Sequence, residues 1–319
     1  VPTGADPAST DPASADPAGG RLPATSTLLP WLATAATIGL QISYPLTSGE
    51  QRAAVTVLAV LAFFTASVAA AAAAQGPRRA AGAAAVAGGI GLAAESVGVH
   101  TGWPFGDYSY GSALGPKLAG VPVVVPLAWT MMGLPALALG RRCAAVLGDR
   151  PPAAPQPAPR RAAARRAATR RAAARRWAVT ALVGGATLTA WDLFLDPQMV
   201  AEGYWSWASG KPTLNGIPVS NAAGWLLVGT VVTGALAALP EHPTRHPRPR
   251  PRVPHPDDRV PMVLLGWTCF SSVLANLAFF GRPGVAVAGG LAMGAVLGGS
   301  VLLERRCGVR SGGLARSGA

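Results

Sequence analysis

Residues 177 to 195 read WAVTALVGGATLTAWDLFL, an apolar run interrupted by one ionisable side chain, Asp192, preceded by Arg175 and Arg176 and followed by Asp196-Pro197. A helix rises about 1.5 Å per residue, so a run of this length is matched to a hydrocarbon layer roughly 30 Å thick. Further runs of the same character lie at approximately 29–46, 53–74, 80–99, 121–140, 221–239, 261–280 and 284–303. No water is present at that depth to satisfy backbone N–H and C=O groups, which leaves helices as the economical reading. The expected fold class is all-α, a polytopic integral membrane protein of about eight transmembrane helices.

Composition agrees. Half of the 319 residues are hydrophobic, only 13% are charged and the mean hydropathy is +0.34, unlike a soluble domain of this length. The net charge of +13 is concentrated in short clusters between the apolar runs. With eight spans, 23 of the 27 Lys and Arg residues fall on one side, and only Arg52, Lys117, Lys211 and Arg282 on the other. Basic residues are retained on the cytoplasmic side of short loops, so this split places both termini in the cytoplasm of a multi-pass cell-membrane protein. The expected organisation is a disordered cytoplasmic tail over 1–28, a transmembrane domain over 29–303 with cytoplasmic Arg/Pro-rich loops at 141–176 and 240–260, and a cytoplasmic tail over 304–319.

The Arg pairs at 160/161, 165/166, 170/171 and 175/176 step by five residues. That step spreads charge around a helix axis, as in an Ala-rich linker lying near anionic headgroups. No aromatic residue interleaves with them, which argues against nucleic acid as a partner. Cys143, Cys269 and Cys307 form no close pair, and the histidines are too irregular for a metal, so neither metal nor cofactor is expected.

A self-match at an offset of 96 carries more information. Pro116-x-Leu118-x-Gly120-x-Pro122-Val123 with Trp129 returns as Pro212-x-Leu214-x-Gly216-x-Pro218-Val219 with Trp225, and Tyr108 falls on Tyr204. Two spans separate the copies, so the repeat is parallel: spans three and four match spans five and six. Sites often form at the interface between such copies.

Acidic residues fall at matching heights in this frame: Glu95 near Asp192, and Asp107 near Glu202. Glu95 and Asp192 lie inside spans, where an ionisable side chain costs on the order of 2.5–3.5 kcal/mol and usually faces a cavity or a partner. A structural hydrogen bond between helices is the plainer alternative. The outer loops are dense in aromatics, including Trp103, Phe105, Tyr108, Tyr110, Trp191, Tyr204 and Trp205. An aromatic belt at the headgroups explains some of these, but not the acids among them. A carboxylic acid beside aromatic faces can protonate an alkene and leave the cation facing ring quadrupoles. Asp196-Pro197 and Gly102-Trp103-Pro104-Phe105-Gly106 read as turns, suited to re-entrant loops lining a cavity.

These residues also carry a resemblance. Glu95, Thr101-Gly102-Trp103-Pro104-Phe105-Gly106-Asp107-Tyr108-Ser109-Tyr110, Leu114 to Lys117, Gly120-Val121-Pro122 and Pro126 to Trp129 resemble the first signature of membrane-bound carotenoid biosynthesis proteins, typified by the carotenoid 1,2-hydratases. Trp191-Asp192-Leu193-Phe194-Leu195-Asp196-Pro197, Gly203-Tyr204-Trp205, Gly216-Ile217-Pro218 and Asn221 to Trp225 resemble the second. Similarity covers roughly residues 30 to 305. The resemblance implies a cofactor-free hydratase that adds water across the terminal C1–C2 double bond of an acyclic carotenoid, giving a tertiary alcohol. Its partners would be the carotenoid, water, membrane lipids and other enzymes of the pathway.

Hydration of this kind needs a proton donor, a cation-tolerant surround and a positioned water. Asp192 and Glu95, the most deeply placed acids, are the favoured donors. Asp196, Asp107 and Glu202 are then candidates to orient water, and Tyr108 and Tyr204 to hydrogen-bond or stabilise the cation. Trp103, Phe105, Tyr110, Trp191, Trp205 and Asn221 are candidate substrate contacts. Two rivals stand beside this reading: a transporter or lipid-binding protein, which the repeat and the intramembrane acids also suit, and a carotenoid cyclase, which also begins by protonating an end-group alkene.

Overall fold

A computed structural model describes residues 25–148, 158–208, 212–240 and 259–316. Most of the expected N-terminal tail, the middle of each Arg- or Pro-rich loop and Lys211 lie outside the described residues. Eight helices are present there: α1 (Thr25–Ser43), α2 (Gly49–Gln75), α3 (Pro77–Thr101), α4 (Val124–Gly148), α5 (Ala158–Ala201), α6 (Val219–Ala238), α7 (Arg259–Ala278) and α8 (Pro283–Arg316). Seven are long and apolar enough to cross a membrane. The chain is a multi-pass, all-α membrane protein.

The Ala-rich sequence carrying the Arg pairs from 160 to 176 is helical, as its reading as a helical linker expects, and is continuous with the apolar run in α5. A departure from expectation is that Asp196-Pro197 is not a turn, since α5 continues through it to Ala201. Pro197 costs the helix one N–H, but its fixed φ remains helical, and packing of the neighbours holds the segment in line.

Between α3 and α4, and between α5 and α6, short strands replace simple loops. β1 (Tyr108–Tyr110) pairs antiparallel with β4 (Trp205–Trp207), joining the two loops. β2 (Lys117–Leu118) and β3 (Val121–Pro122) form one hairpin, and β5 (Thr213–Leu214) and β6 (Ile217–Pro218) the matching one. Both hairpins turn through two residues with positive φ, Ala119 (49°) and Gly120 (82°) in one, Asn215 (53°) and Gly216 (84°) in the other. This is the turn whose twist matches paired strands, which accounts for the repeated glycine.

The repeat closes on itself at Trp129 of α4 and Trp225 of α6. Their rings stack with centroids 4.2 Å apart and planes 13° from parallel, 1% and 6% exposed. Such a pair contributes about 0.5–1.5 kcal/mol beyond its buried area. Room for it depends on Gly91 of α3, where a Cβ would lie 2.5 Å from Cγ of Trp129. Gly91→Val should therefore lose folded protein, at about 1–3 kcal/mol for overpacking. Gly82→Ala, which meets nothing within 4 Å, should be neutral. Thermal unfolding of the two variants in detergent checks the contrast.

Candidate active site

The pleat of β1 sends Tyr108 and Tyr110 to one face and Ser109 to the other. Both phenols converge on Glu95 of α3: Tyr108 donates to Oε2, and Tyr110 donates to the same oxygen at 2.8 Å. The Nε1–H of Trp129 donates to Oε1 at 2.9 Å. Glu95, 4% exposed, thus accepts from three side chains. Burial, and next the adjacent Glu95 carboxylate, push both phenols above the ordinary tyrosine range, so they remain donors.

The second copy places a different acid group opposite. Asp192 and Asp196 lie one turn apart on α5 and share a face. Asn221, in the first turn of α6, donates its amide to Asp192 Oδ2 at 2.8 Å and to Asp196 Oδ2 at 2.5 Å. Trp205 of β4 donates Nε1–H to Asp196 Oδ1 at 3.1 Å. Asp192, Asp196 and Asn221 are each at most 3% exposed.

Glu95 and Asp196 line one cavity, about 680 Å³ of space counting its open mouth. Its walls include Phe105, Tyr108, Tyr110, Trp191, Trp205, Asn221 and the Trp129–Trp225 stack, with Val60, Leu114, Val124 and Met199 as aliphatic surface. Aromatic contact continues around it. Tyr108 stacks on Trp207 at 5.6 Å, Tyr110 meets Trp205 edge-on at 5.5 Å, and Phe105 lies 6.3–6.5 Å from both stacked tryptophans. Asp192 stands behind Asn221 and lines a neighbouring cavity.

The remaining candidates lie elsewhere. Asp107 is exposed on the turn before β1, where its carbonyl accepts from the Ala208 amide at 2.9 Å. Trp103 is 63% exposed. Glu202 pairs with Arg52 at 2.6 Å and accepts from Gln198 at 3.0 Å. Arg282 also reaches Gln198, and the Arg52 guanidinium lies 5.4 Å from the Tyr44 ring. Tyr44 is pushed up to about 12, chiefly by burial. This polar cluster ties α2, α5 and α8 together at the end of the bundle that carries the hairpins. Tyr204 is buried beside it, its hydroxyl 3.4 Å from that of Thr56, which itself lines the large cavity. Sequence reading did not select Trp129, Trp225, Trp207 or Thr56 as site residues, although the repeat had already singled out the first two.

Fold and site together define a polytopic helical membrane protein whose buried acids face an aromatic, lipid-like cavity. Comparison with known proteins is more specific: the profile of the carotenoid biosynthesis protein family matches residues 54–297, and the chain belongs to that family. Over 138 residues, 43% of this chain, it is 36% identical to the bisanhydrobacterioruberin hydratase of Haloarcula japonica. That alignment covers 38% of the relative's length. No solved structure matches the chain.

Proposed function

We propose that the protein hydrates the terminal C1–C2 double bond of an acyclic carotenoid end group by acid catalysis. The observation that carries this reading is the single cavity that presents buried Glu95 and Asp196 among aromatic faces. Its shape and lining suit the isoprenoid end of a polyene, and the similarity to a hydratase favours water as the second reactant.

In this reading Asp196, backed by Asp192 through Asn221, gives its proton to C2. The electron pair of the double bond forms the new C2–H bond and leaves C1 as a tertiary cation. The faces of Phe105, Trp129 and Trp225 stabilise that charge through their quadrupoles. A water held at Glu95 and Tyr110 forms the C1–O bond, and its surplus proton passes to the Glu95 carboxylate and on to solvent as product leaves. Glu95 suits the base because its oxygens already accept from three donors.

The test is expression in a strain that accumulates an acyclic carotenoid with unhydrated ends. The expected product is heavier by one water per end used. An isomeric product would replace hydration with cyclisation, and unchanged carotenoid would remove the enzymatic reading.

Orientation belongs to the same proposal, with 1–28 and 304–319 as cytoplasmic tails and the paired hairpins facing outward. In a chain whose native cysteines are replaced by Ser, exposed Ser112→Cys should react with an impermeant thiol reagent in intact cells, and exposed Ala173→Cys should not. The opposite pattern would reverse the topology.

A further inference from the structure

The large cavity has a smaller neighbour that the reaction as drawn does not use. It spans about 360 Å³ counting its open mouth, and its lining runs from exposed Leu214, Asn215 and Val219 at the β5–β6 hairpin to buried Asp192 and Asn221. Asn221 is common to both cavities and forms the wall between them. At the inner end, Asp192 Oδ1 is buried and receives no amide, hydroxyl or indole donor from the described residues, while the Asp192 and Asp196 carboxyls lie within hydrogen-bonding reach of each other. A buried carboxyl oxygen without a donor is costly unless something small and polar reaches it.

The internal repeat sharpens the point. At the offset of 96, Asp192, Asn215 and Asn221 correspond to Ser96, Ala119 and Val125. The hairpin backbone is the same in both copies, yet Asn215 and Asn221 of the second stand where the first has Ala119 and Val125, and a carboxyl at Asp192 replaces the Ser96 hydroxyl. Packing of the repeat does not require them, since the first copy builds the same turn without them.

We propose that this second cavity is a water-binding entry passage, with Asp192 Oδ1 as its inner acceptor, through which the Asp192–Asp196 pair regains its proton from the aqueous phase at the hairpin end. The proposal rests on the hydration reading. The carotenoid end and the replenishing water then approach the acid pair from opposite sides of Asn221. When Asp196 has given its proton to C2, a proton from water at Asp192 Oδ1 replaces it, and the Asn221 amide holds the two carboxyls together. The acid pair can then be reprotonated without bulk solvent entering on the carotenoid side while the cation exists, which protects the cation from stray nucleophiles.

Two measurements test the passage in a chain with its native cysteines replaced by Ser. Val219→Cys sits at the mouth, and Val123→Cys occupies the equivalent position of the first copy. Modification of Val219→Cys with a bulky methanethiosulfonate in membranes should lower hydration by about tenfold or more, as expected when a proton-transfer route is lost, and a thiol reductant should restore it in the same sample. Modified Val123→Cys should change little. Because modified and restored forms are the same folded protein, a folding defect cannot imitate the result. Hydration that is unaffected by modification at Val219→Cys overturns the proposal.

The second measurement does not depend on the reaction. Asp192→Cys at the inner end and Ala222→Cys along the wall should be labelled by a small water-soluble methanethiosulfonate, read by protein mass, whereas Leu188→Cys, one turn deeper and fully buried, should not. Failure to label both passage positions overturns the proposal even if hydration is observed. Labelling at both positions, with no hydrated product from the parent chain that keeps Asp192, would instead sustain access to Asp192 and remove the hydration reading.

Discussion

Asp196→Asn should reduce hydration by about 10² to 10⁴ fold, the range for losing a general acid, while the level of protein in the membrane stays close to wild type. The neutral amide occupies the same volume and keeps one acceptor oxygen for Trp205 Nε1–H or for Asn221, which donate to it at 3.1 Å and 2.5 Å. What it lacks is a transferable proton. A structural carboxyl predicts the reverse, because a neutral isostere is cheaper to bury than a charge and should leave turnover intact. Asp192→Asn separates the two members of the pair. If Asp192 relays and Asp196 donates, Asp192→Asn should slow turnover without weakening retention of carotenoid, and Asp196→Asn should abolish the first protonation. Product mass at matched expression, together with the absorption of carotenoid retained by the purified protein, reads both. Equal, near wild-type hydration in the two variants would remove the Asp pair from the reaction.

The sequence carried this much of the site because the acid and aromatic positions are local. Asp192 and Asp196 are one helical turn apart, Tyr108 and Tyr110 are alternate residues of one strand, and the offset of 96 identified Trp129 and Trp225 as equivalents before their rings were seen to stack. Apolar length alone set the helices and their number. Contacts between distant elements were not legible. Glu202 sits in an acid-rich stretch, yet its partner is Arg52 on α2, brought near by helix packing that no local pattern encodes. Asp107, which the repeat set near Glu202, instead lies on the exposed side of a turn. The strands were missed for a related reason. Pairings of two or three residues are too short for a period to register, and β1 pairs with β4 only because the two loops lie side by side. The helical Asp196-Pro197 shows the opposite failure, where a local turn signal gave way to the packing around it.

Glu95→Gln and Glu95→Ala should part company, and their difference tests the base. In Glu95→Gln the amide oxygen can still accept from Trp129 Nε1–H, which lies 2.9 Å from Oε1 in the native protein. Its NH₂ then faces the hydroxyls of Tyr108 and Tyr110, and each hydroxyl can rotate to accept instead of donating. The fold should survive, but no carboxylate remains to take the proton of the attacking water, so hydration should fall by about 10² to 10⁴ fold. Glu95→Ala removes the acceptor from all three donors at once. A buried donor left without a partner costs about 1–3 kcal/mol, and three of them consume much of the margin of a protein stable by about 5–15 kcal/mol. Glu95→Ala should therefore accumulate poorly and unfold at a lower temperature in detergent, whereas Glu95→Gln should resemble wild type in both respects. The double variant Tyr108→Phe/Tyr110→Phe supplies the complementary case, since it keeps the carboxylate and removes the phenols that donate to Oε2. Partial hydration there, with almost none in Glu95→Gln, assigns proton acceptance to the carboxylate and positioning to the tyrosines. Full activity in Glu95→Gln would confine Glu95 to holding α3, β1 and α4 together and place the base elsewhere in the cavity.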